Sequence, residues 1–169
     1  MKKNLVLLGM MGVGKTTLGK IVAKKQKLKF IDIDASIEKK NSMTIKEIFN
    51  KKGEKFFRME EEQEILKSLK KNNCVIALGG GAFMNKTVRE NILKNAISIW
   101  LNIDIKTLNQ RIKWNQKRPL LKKENNQKKI TKLYAERKDM YKLANHQIAC
   151  DNLSKKNIAE KIIALYEKY

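Results

Sequence analysis

The sequence has only one proline, Pro119, and eight glycines among its 169 residues. This scarcity excludes collagen-like repeats and proline-rich linkers, and a hydrophobic content of 42% argues against a disordered chain. There are only two cysteines, Cys74 and Cys150, and both stand beside apolar runs. We therefore expect two buried thiols in a reducing cytoplasm, rather than a disulfide or a metal site.

Long hydrophobic runs are also missing. No stretch approaches the ~18 apolar residues that a membrane-spanning helix needs. The apolar run at residues 5–8 is too short for a signal peptide, and a glycine-rich motif follows it where a cleavage site would lie. We expect one domain spanning residues 1–169, located in the cytoplasm and without a membrane partner.

Acidic residues are few: 17 stand against 38 basic ones, which gives a formal net charge of +21. A charge of this size is common in nucleic-acid-binding proteins. Here the lysines are scattered over nearly every predicted helix, and aromatic residues amount to only 7%. We expect no nucleic-acid partner and a general attraction for small anions. A basic, nucleic-acid-binding ATPase is the alternative that the charge alone would support.

The dominant motif is GMMGVGKTT at residues 9–17, which matches the pattern G-x-x-x-x-G-K-[ST]. An apolar run precedes it and a helical pattern follows it, as this phosphate-binding motif (P-loop) requires. Its glycines allow backbone N–H groups to surround a phosphate, and the following helix adds its positive end. Lys15 is predicted to reach the β- and γ-phosphates and Thr16 to ligate Mg²⁺. The predicted nucleotide-binding residues of the loop are Gly12, Val13, Gly14, Lys15, Thr16 and Thr17.

Two acidic residues end the second predicted strand, residues 28–34. P-loop enzymes commonly hold the water shell of Mg²⁺ with an acid at a strand end. Asp32 is our candidate for this role, because the third apolar strand, residues 75–78, ends in glycines. Asp34 lies two residues further along an extended chain, and we predict that it orients or deprotonates a substrate hydroxyl. The alternative is that Asp34 only caps the helix that begins near Ala35.

Arg58 lies in a helical segment that is longer than a simple strand crossover needs, which predicts a substrate-binding lobe near residues 33–61. Its planar guanidinium suits a carboxylate, although an ion pair with Glu61 or Glu62 explains it equally well. Three glycines follow the third strand and lie where open α/β sheets bind ligands. They are Gly79, Gly80 and Gly81.

A polar loop at residues 115–127 interrupts the helical pattern at Pro119. In phosphoryl-transfer enzymes such a loop often closes over the nucleotide as a lid. Arg118 would then bring positive charge to the transferred phosphoryl group. The alternative is an ordinary surface loop.

In their order along the chain, these features resemble a shikimate kinase over essentially the whole sequence. The likeness rests on Phe30-x-Asp32-x-Asp34, Phe57-Arg58-x-x-Glu61, Gly79-Gly80-Gly81, Arg118-Pro119-Leu120-Leu121, and Arg137 four residues before Tyr141. Thr16 departs from the serine of many members, but either residue offers an oxygen to a metal.

The resemblance implies a P-loop α/β fold like that of the nucleoside monophosphate kinases, a three-layer sandwich. Its five-stranded parallel sheet would be flanked by helices, with strand order 2-3-1-4-5. It also implies transfer of the γ-phosphoryl of ATP to shikimate with Mg²⁺ as cofactor. We expect a monomer by default.

The resemblance also implies roles for single residues. Lys15, Asp34 and Arg118 would be catalytic, and Arg111 would lie near the adenine, with residues 152–155 in the position of the adenine loop. The implied shikimate-binding residues are Asp34, Arg58, Gly79, Gly80, Gly81 and Arg137.

Other small-molecule P-loop kinases, for gluconate or a nucleoside monophosphate, are the nearest alternatives. They would share the P-loop and the lid. Neither explains the two acids, the triple glycine and the two separated arginines together, a set that suits a small polyhydroxylated carboxylate.

Overall fold

The computed structural model describes residues 3–114 and 125–169. Five parallel strands form one sheet with the order β2-β3-β1-β4-β5, which confirms the predicted fold class and strand order. The central strands are almost wholly buried, so their sequences are continuous apolar runs. The strands are β1 (Asn4–Leu8), β2 (Lys29–Asp32), β3 (Cys74–Ala77), β4 (Ala96–Asn102) and β5 (His146–Ala149).

Helices flank this sheet and connect its strands. The connection between β2 and β3 carries two of them, so it is longer than a single crossover, as the sequence predicted. The α-helices are α1 (Lys15–Gln26), α2 (Ile33–Asn41), α3 (Ile45–Leu69), α4 (Lys86–Asn95), α5 (Ile105–Trp114), α6 (Asn125–Tyr141) and α7 (Lys155–Tyr166). A short 3₁₀ helix, Ala82–Met84, follows the triple glycine.

Local signals explain where helix α3 begins and bends. Thr44 and Glu47 form a capping box, in which each side chain accepts the other's backbone N–H. Gly53 has φ 82° and interrupts the helical backbone, so α3 consists of two helical parts joined at a kink.

Strand β2 ends earlier than predicted. The Asp32 carboxylate accepts the N–H of Ala35 at 3.2 Å and so caps α2, which begins at Ile33. Asp34 therefore lies in the first turn of a helix rather than on an extended chain, so that expectation was wrong. The capping alternative for Asp34 was also wrong, because Asp32 is the cap.

Both cysteines are buried free thiols, as predicted. Burial raises the pKa of Cys74 above its ordinary value and that of Cys150 to about 11, so both thiols are poor nucleophiles at neutral pH. Within the described residues, no helix is both long and apolar enough to cross a membrane.

A buried asparagine joins β1 to the turn before β3. The Asn4 amide donates to the carbonyl of Leu69 at 3.2 Å and to that of Lys71 at 2.6 Å. Its oxygen accepts the N–H of Cys74 at 3.0 Å. One side chain thus satisfies three backbone groups where the chain enters β3.

We expect Asn4→Ala to lower the free energy of unfolding by about 2–4 kcal/mol, because it leaves those three backbone groups without their partner. Urea denaturation measures the change. Asn95→Ala is the matched control, since its exposed amide donates to the carbonyl of Asn91 within α4. Equal stabilities of the two variants would contradict the role of Asn4.

Candidate active site

The P-loop connects β1 to α1 through a backbone that requires glycine. Gly9, Gly12 and Gly14 all have positive φ, at 137°, 82° and 100°. A Cβ atom on Gly9 would also lie 2.6 Å from the carbonyl oxygen of Leu101, so the loop packs directly on the end of β4. The Lys15 ammonium donates to the carbonyls of Gly9 and Met10 at 2.8 and 2.9 Å, which holds it against the loop.

The remaining predicted loop residues lie at or near the start of α1. The side chain of Val13 is buried, so only its backbone is available to a ligand. Thr16 and Thr17 are exposed in the first turn of the helix. This arrangement directs the positive end of α1 toward the space that the loop surrounds.

The two predicted metal ligands are in contact. The Thr16 hydroxyl donates to Asp32 Oδ2 at 2.7 Å, which joins the start of α1 to the end of β2. A hydroxyl and a carboxylate are hard oxygen donors, and Mg²⁺ commonly takes only one or two protein ligands besides water and phosphate. The described ranges contain no cluster of three or more acidic, histidine or cysteine side chains that could enclose a metal. The pair therefore fits a magnesium ion that is ligated mainly by water and phosphate.

The triple glycine is the meeting point of the predicted substrate residues. A Cβ atom on Gly79 would lie 2.9 Å from Asp34 Oδ1. On Gly80 it would lie 3.1 Å from Arg137 Nη1, and on Gly81 2.9 Å from Arg58 Nη1. Side chains from α2, α3 and α6 therefore approach the backbone here more closely than a residue with a side chain would allow.

The glycine backbone itself offers hydrogen-bond donors. Across the described residues, the N–H groups of Gly79, Gly80 and Gly81 donate to no backbone carbonyl. The Gly79 and Gly81 carbonyls, in contrast, accept from Ala82 and Met84 in the following turn. Amides that remain available beside two guanidinium groups can bind an anionic oxygen.

Glu61 belongs to this cluster, although its position in the sequence suggested only a possible surface partner of Arg58. Its side chain is only 4% exposed, and its Oε2 accepts from Arg58 Nη1 at 2.7 Å. Its other oxygen, Oε1, would lie 2.6 Å from a Cβ on Gly79 and has no hydrogen-bond partner within the described residues. Burial raises the pKa of Glu61, while the charge of Arg58 opposes that rise.

Glu61 thus gives Arg58 a buried ionic partner and a fixed direction. Arg58 also contacts exposed Glu54 at 3.3 Å, and its own side chain is 38% exposed. Arg58 therefore forms ion pairs and also lies beside the triple glycine, so the two explanations of this residue do not exclude each other. The signal for Glu61 in the sequence was its spacing of three residues from Arg58, which places both on one face of a helix.

Arg111 lies on α5, on the opposite side of the P-loop. Burial raises the pKa of Cys150, and the charge of Arg111 partly opposes that rise. The N–H of Asp104 donates to Asp151 at 2.9 Å, which links the loop before α5 to the loop before α7. Arg118 lies outside the described residues, as does the predicted lid except for residues 125–127, which begin α6.

A parallel α/β sheet with a P-loop, and with a polar cluster at the carboxyl end of β3, defines the class of P-loop kinases that phosphorylate small molecules. The sequence model of one family, described as shikimate kinase, matches residues 11–167. This chain belongs to the shikimate kinase family.

Similar proteins cover nearly the whole chain. A shikimate kinase from Sulfurihydrogenibium sp. (strain YO3AOP1) is 42% identical over 95% of this chain and 96% of its own. One from Bacillus subtilis (strain 168) is 41% identical over 96% and 88%. The solved shikimate kinase from Acinetobacter baumannii in complex with shikimate has a TM-score of 0.92 at 32% identity, covering 99% and 94%.

We expect Gly79→Ala to reduce kcat/KM for the acceptor by about a hundredfold, because the methyl group displaces Glu61 and Asp34 from their present positions. Steady-state kinetics on the folded protein measures this change. Gly53→Ala is the control: no atom lies within 4 Å of its added methyl, although Gly53, unlike Gly79, has a positive φ that opposes a side chain. A similar loss in both variants would contradict displacement of Glu61 and Asp34 as the cause.

Proposed function

We propose that this protein transfers the γ-phosphoryl group of ATP to the 3-hydroxyl of shikimate, giving shikimate 3-phosphate and ADP. The observation that carries the proposal is the approach of two guanidinium groups and two carboxylates to a bare glycine backbone beside a P-loop. Such a site suits a small molecule with one carboxylate and several hydroxyls. Membership of the shikimate kinase family supports the same substrate.

In this proposal, Arg58 and Arg137 bind the substrate carboxylate, and available glycine N–H groups add hydrogen bonds. A planar guanidinium can donate two parallel hydrogen bonds to a carboxylate, which fixes orientation as well as charge. Glu61 keeps Arg58 directed at the substrate through their 2.7 Å ion pair. The bound ring then presents a hydroxyl to Asp34.

Asp34 orients the attacking hydroxyl and accepts its proton as the new oxygen–phosphorus bond forms. The bond between the γ-phosphorus and the bridging oxygen breaks, and ADP leaves with the bonding electrons. Lys15 and Arg118 neutralise charge on the transferred group. Catalysis in such a site comes mainly from positioning and electrostatic stabilisation.

Thr16 and Asp32 are the proposed protein ligands of Mg²⁺, with Asp32 acting through water. When bound, the ion neutralises charge on the β- and γ-phosphates. The loop amides of residues 12–17 bind the phosphates, and Arg111 with residues 152–155 contacts the adenine.

We further propose a substrate-binding lobe near residues 33–61, which corresponds to α2 and the first part of α3, and a lid at residues 115–127. We also propose a monomer in the cytoplasm that uses no nucleic acid. Scattered lysines and few aromatic residues support the last point.

The test of this function is ADP release by the purified protein with ATP, Mg²⁺ and separate acceptors: shikimate, gluconate and CMP. We expect turnover with shikimate alone. Activity only on another acceptor would retain the P-loop assignment and overturn the substrate site. Salt-dependent binding of DNA or RNA, measured by filter binding, would support the nucleic-acid alternative instead.

Asp34→Asn should leave ATP affinity nearly unchanged and reduce kcat by about 10²–10⁴, because the amide cannot accept the hydroxyl proton. Stopped-time ADP assays and nucleotide titration measure the two quantities. Asp139→Asn is the control, since Asp139 pairs on the surface with Lys142. Retained turnover in Asp34→Asn would remove Asp34 from catalysis.

Arg58→Lys should raise the KM for shikimate by about tenfold, because a point charge cannot replace a planar, two-pronged donor. The KM for ATP should not change. Arg89→Lys is the control, because the Arg89 guanidinium donates to the carbonyls of Phe83 and Met84. An unchanged KM for shikimate would limit Arg58 to its ion pairs with Glu54 and Glu61.

A further inference from the structure

Tyr141 connects the triple glycine to the P-loop from the end of α6. Its side chain is 1% exposed, and its hydroxyl donates a short hydrogen bond to the carbonyl oxygen of Gly80. The same hydroxyl lies 3.8 Å from the sulfur of Met10 in the P-loop. Its ring packs against Trp100 of β4, with 5.7 Å between ring centroids. One phenol therefore contacts three segments that surround the site.

The hydrogen bond to Gly80 fixes the direction of a peptide group. All peptide bonds of the described residues are trans, so the N–H of Gly81 points opposite to the carbonyl of Gly80. Glycine has the widest conformational freedom, so a run of three glycines does not fix this direction by itself. By holding the carbonyl of Gly80 toward α6, Tyr141 turns the N–H of Gly81 the other way, at the residue against which Arg58 packs.

The hydroxyl is a permanent donor. Burial raises the pKa of Tyr141 to about 12, against the opposing charge of Arg137. At physiological pH the phenol therefore keeps its proton and remains the donor of the hydrogen bond, which the carbonyl of Gly80 accepts.

Arg137 lies one helical turn before Tyr141, so both side chains are on the same face of α6. The Nη1 atom of Arg137 would lie 3.1 Å from a Cβ on Gly80. Anchoring Tyr141 to Gly80 thus sets the distance between the Arg137 guanidinium and the glycine backbone. The Gly81 N–H and the Arg137 guanidinium, which would face a substrate anion, therefore both depend on the hydrogen bond between Tyr141 and Gly80.

We propose that Tyr141 is a positioning residue for substrate binding: its hydroxyl orients the Gly80–Gly81 peptide and keeps the Arg137 guanidinium at a fixed distance from that peptide. Tyr141 acts through these groups and does not touch the substrate. This inference rests on the proposed function, since it assumes that the glycine backbone and Arg137 bind shikimate.

The test is Tyr141→Phe, which keeps the ring and removes the hydroxyl. We expect the KM for shikimate to rise by about three- to tenfold, the range that corresponds to one lost hydrogen bond. The kcat and the KM for ATP should change by less than about twofold, because the hydroxyl's contact with the P-loop is a weak one, at 3.8 Å from the sulfur of Met10. Circular dichroism melting curves determine whether each variant is folded at the assay temperature.

Tyr166→Phe is the matched control. Tyr166 is also 1% exposed, and its hydroxyl also donates to a backbone carbonyl, that of Lys3, at 2.9 Å. A purely structural role would give both variants similar losses of melting temperature and no selective change in the KM for shikimate. We expect that selective change only in Tyr141→Phe.

A second measurement combines Tyr141→Phe with Arg137→Lys. If both residues serve one anion-binding arrangement, the two effects on the KM for shikimate will not be additive. Any of four outcomes would overturn the proposal. The KM for shikimate could stay unchanged in Tyr141→Phe, or change equally in Tyr166→Phe. The effects of Tyr141→Phe and Arg137→Lys could be strictly additive, or the Tyr141→Phe protein could fail to fold. Wild-type protein that fails to phosphorylate shikimate would overturn the proposed function instead.

Discussion

The close approach of charged side chains to a backbone without Cβ atoms is the constraint on which the candidate site depends. Polar atoms from α2, α3 and α6 lie within about 3 Å of the positions that Cβ atoms would occupy at Gly79, Gly80 and Gly81. Any larger residue would separate these atoms from the sheet edge. Within the described residues, the N–H groups of these glycines donate to no backbone carbonyl, so the backbone offers donors where the missing side chains leave space.

Burying charge at this edge requires internal pairing. Arg58 and Glu61 form an ion pair in which the carboxylate is almost fully buried, and removal of Arg58 would leave Glu61 with an uncompensated desolvation cost. This pair differs from the many lysines that produce the net charge of +21, most of which lie on exposed helix faces. In the proposed function, specific recognition thus depends on a few oriented groups, and the overall charge supplies only a diffuse attraction for anions.

The sequence predicted the strands and most helices, because buried parallel strands are continuous apolar runs and the P-loop has a strict pattern. The strand order cannot be read from such runs, and it was expected only from the resemblance to shikimate kinases. The sequence named Thr16 and Asp32 as metal ligands without predicting their hydrogen bond, and it placed Asp34 on an extended chain, because an Asp-x-Asp pattern does not reveal where a strand becomes a helix. The hydrogen bond from the Ala35 N–H to the Asp32 carboxylate determines where β2 ends and α2 begins. Glu61 was expected only as a possible ion-pair partner of Arg58 and as part of a motif, and Tyr141 only as part of a motif. Their roles depend on burial and on contacts with Gly79 and Gly80, which are distant in the chain and invisible to local spacing.

The pairing of β1 with β3 explains why the P-loop and the triple glycine lie next to each other. Leu7 pairs with Ala77, so the P-loop and the triple glycine leave neighbouring strands at the same level of the sheet. A Cβ on Gly80 would lie 3.6 Å from the N atom of Met11 and 3.8 Å from the carbonyl oxygen of Gly9. The two loops therefore pack against each other, and a shift of one would be transmitted to the other. Because phosphoryl transfer requires the attacking and leaving oxygens to be roughly in line, this direct contact between loops gives the fold a means of fixing the distance between donor and acceptor.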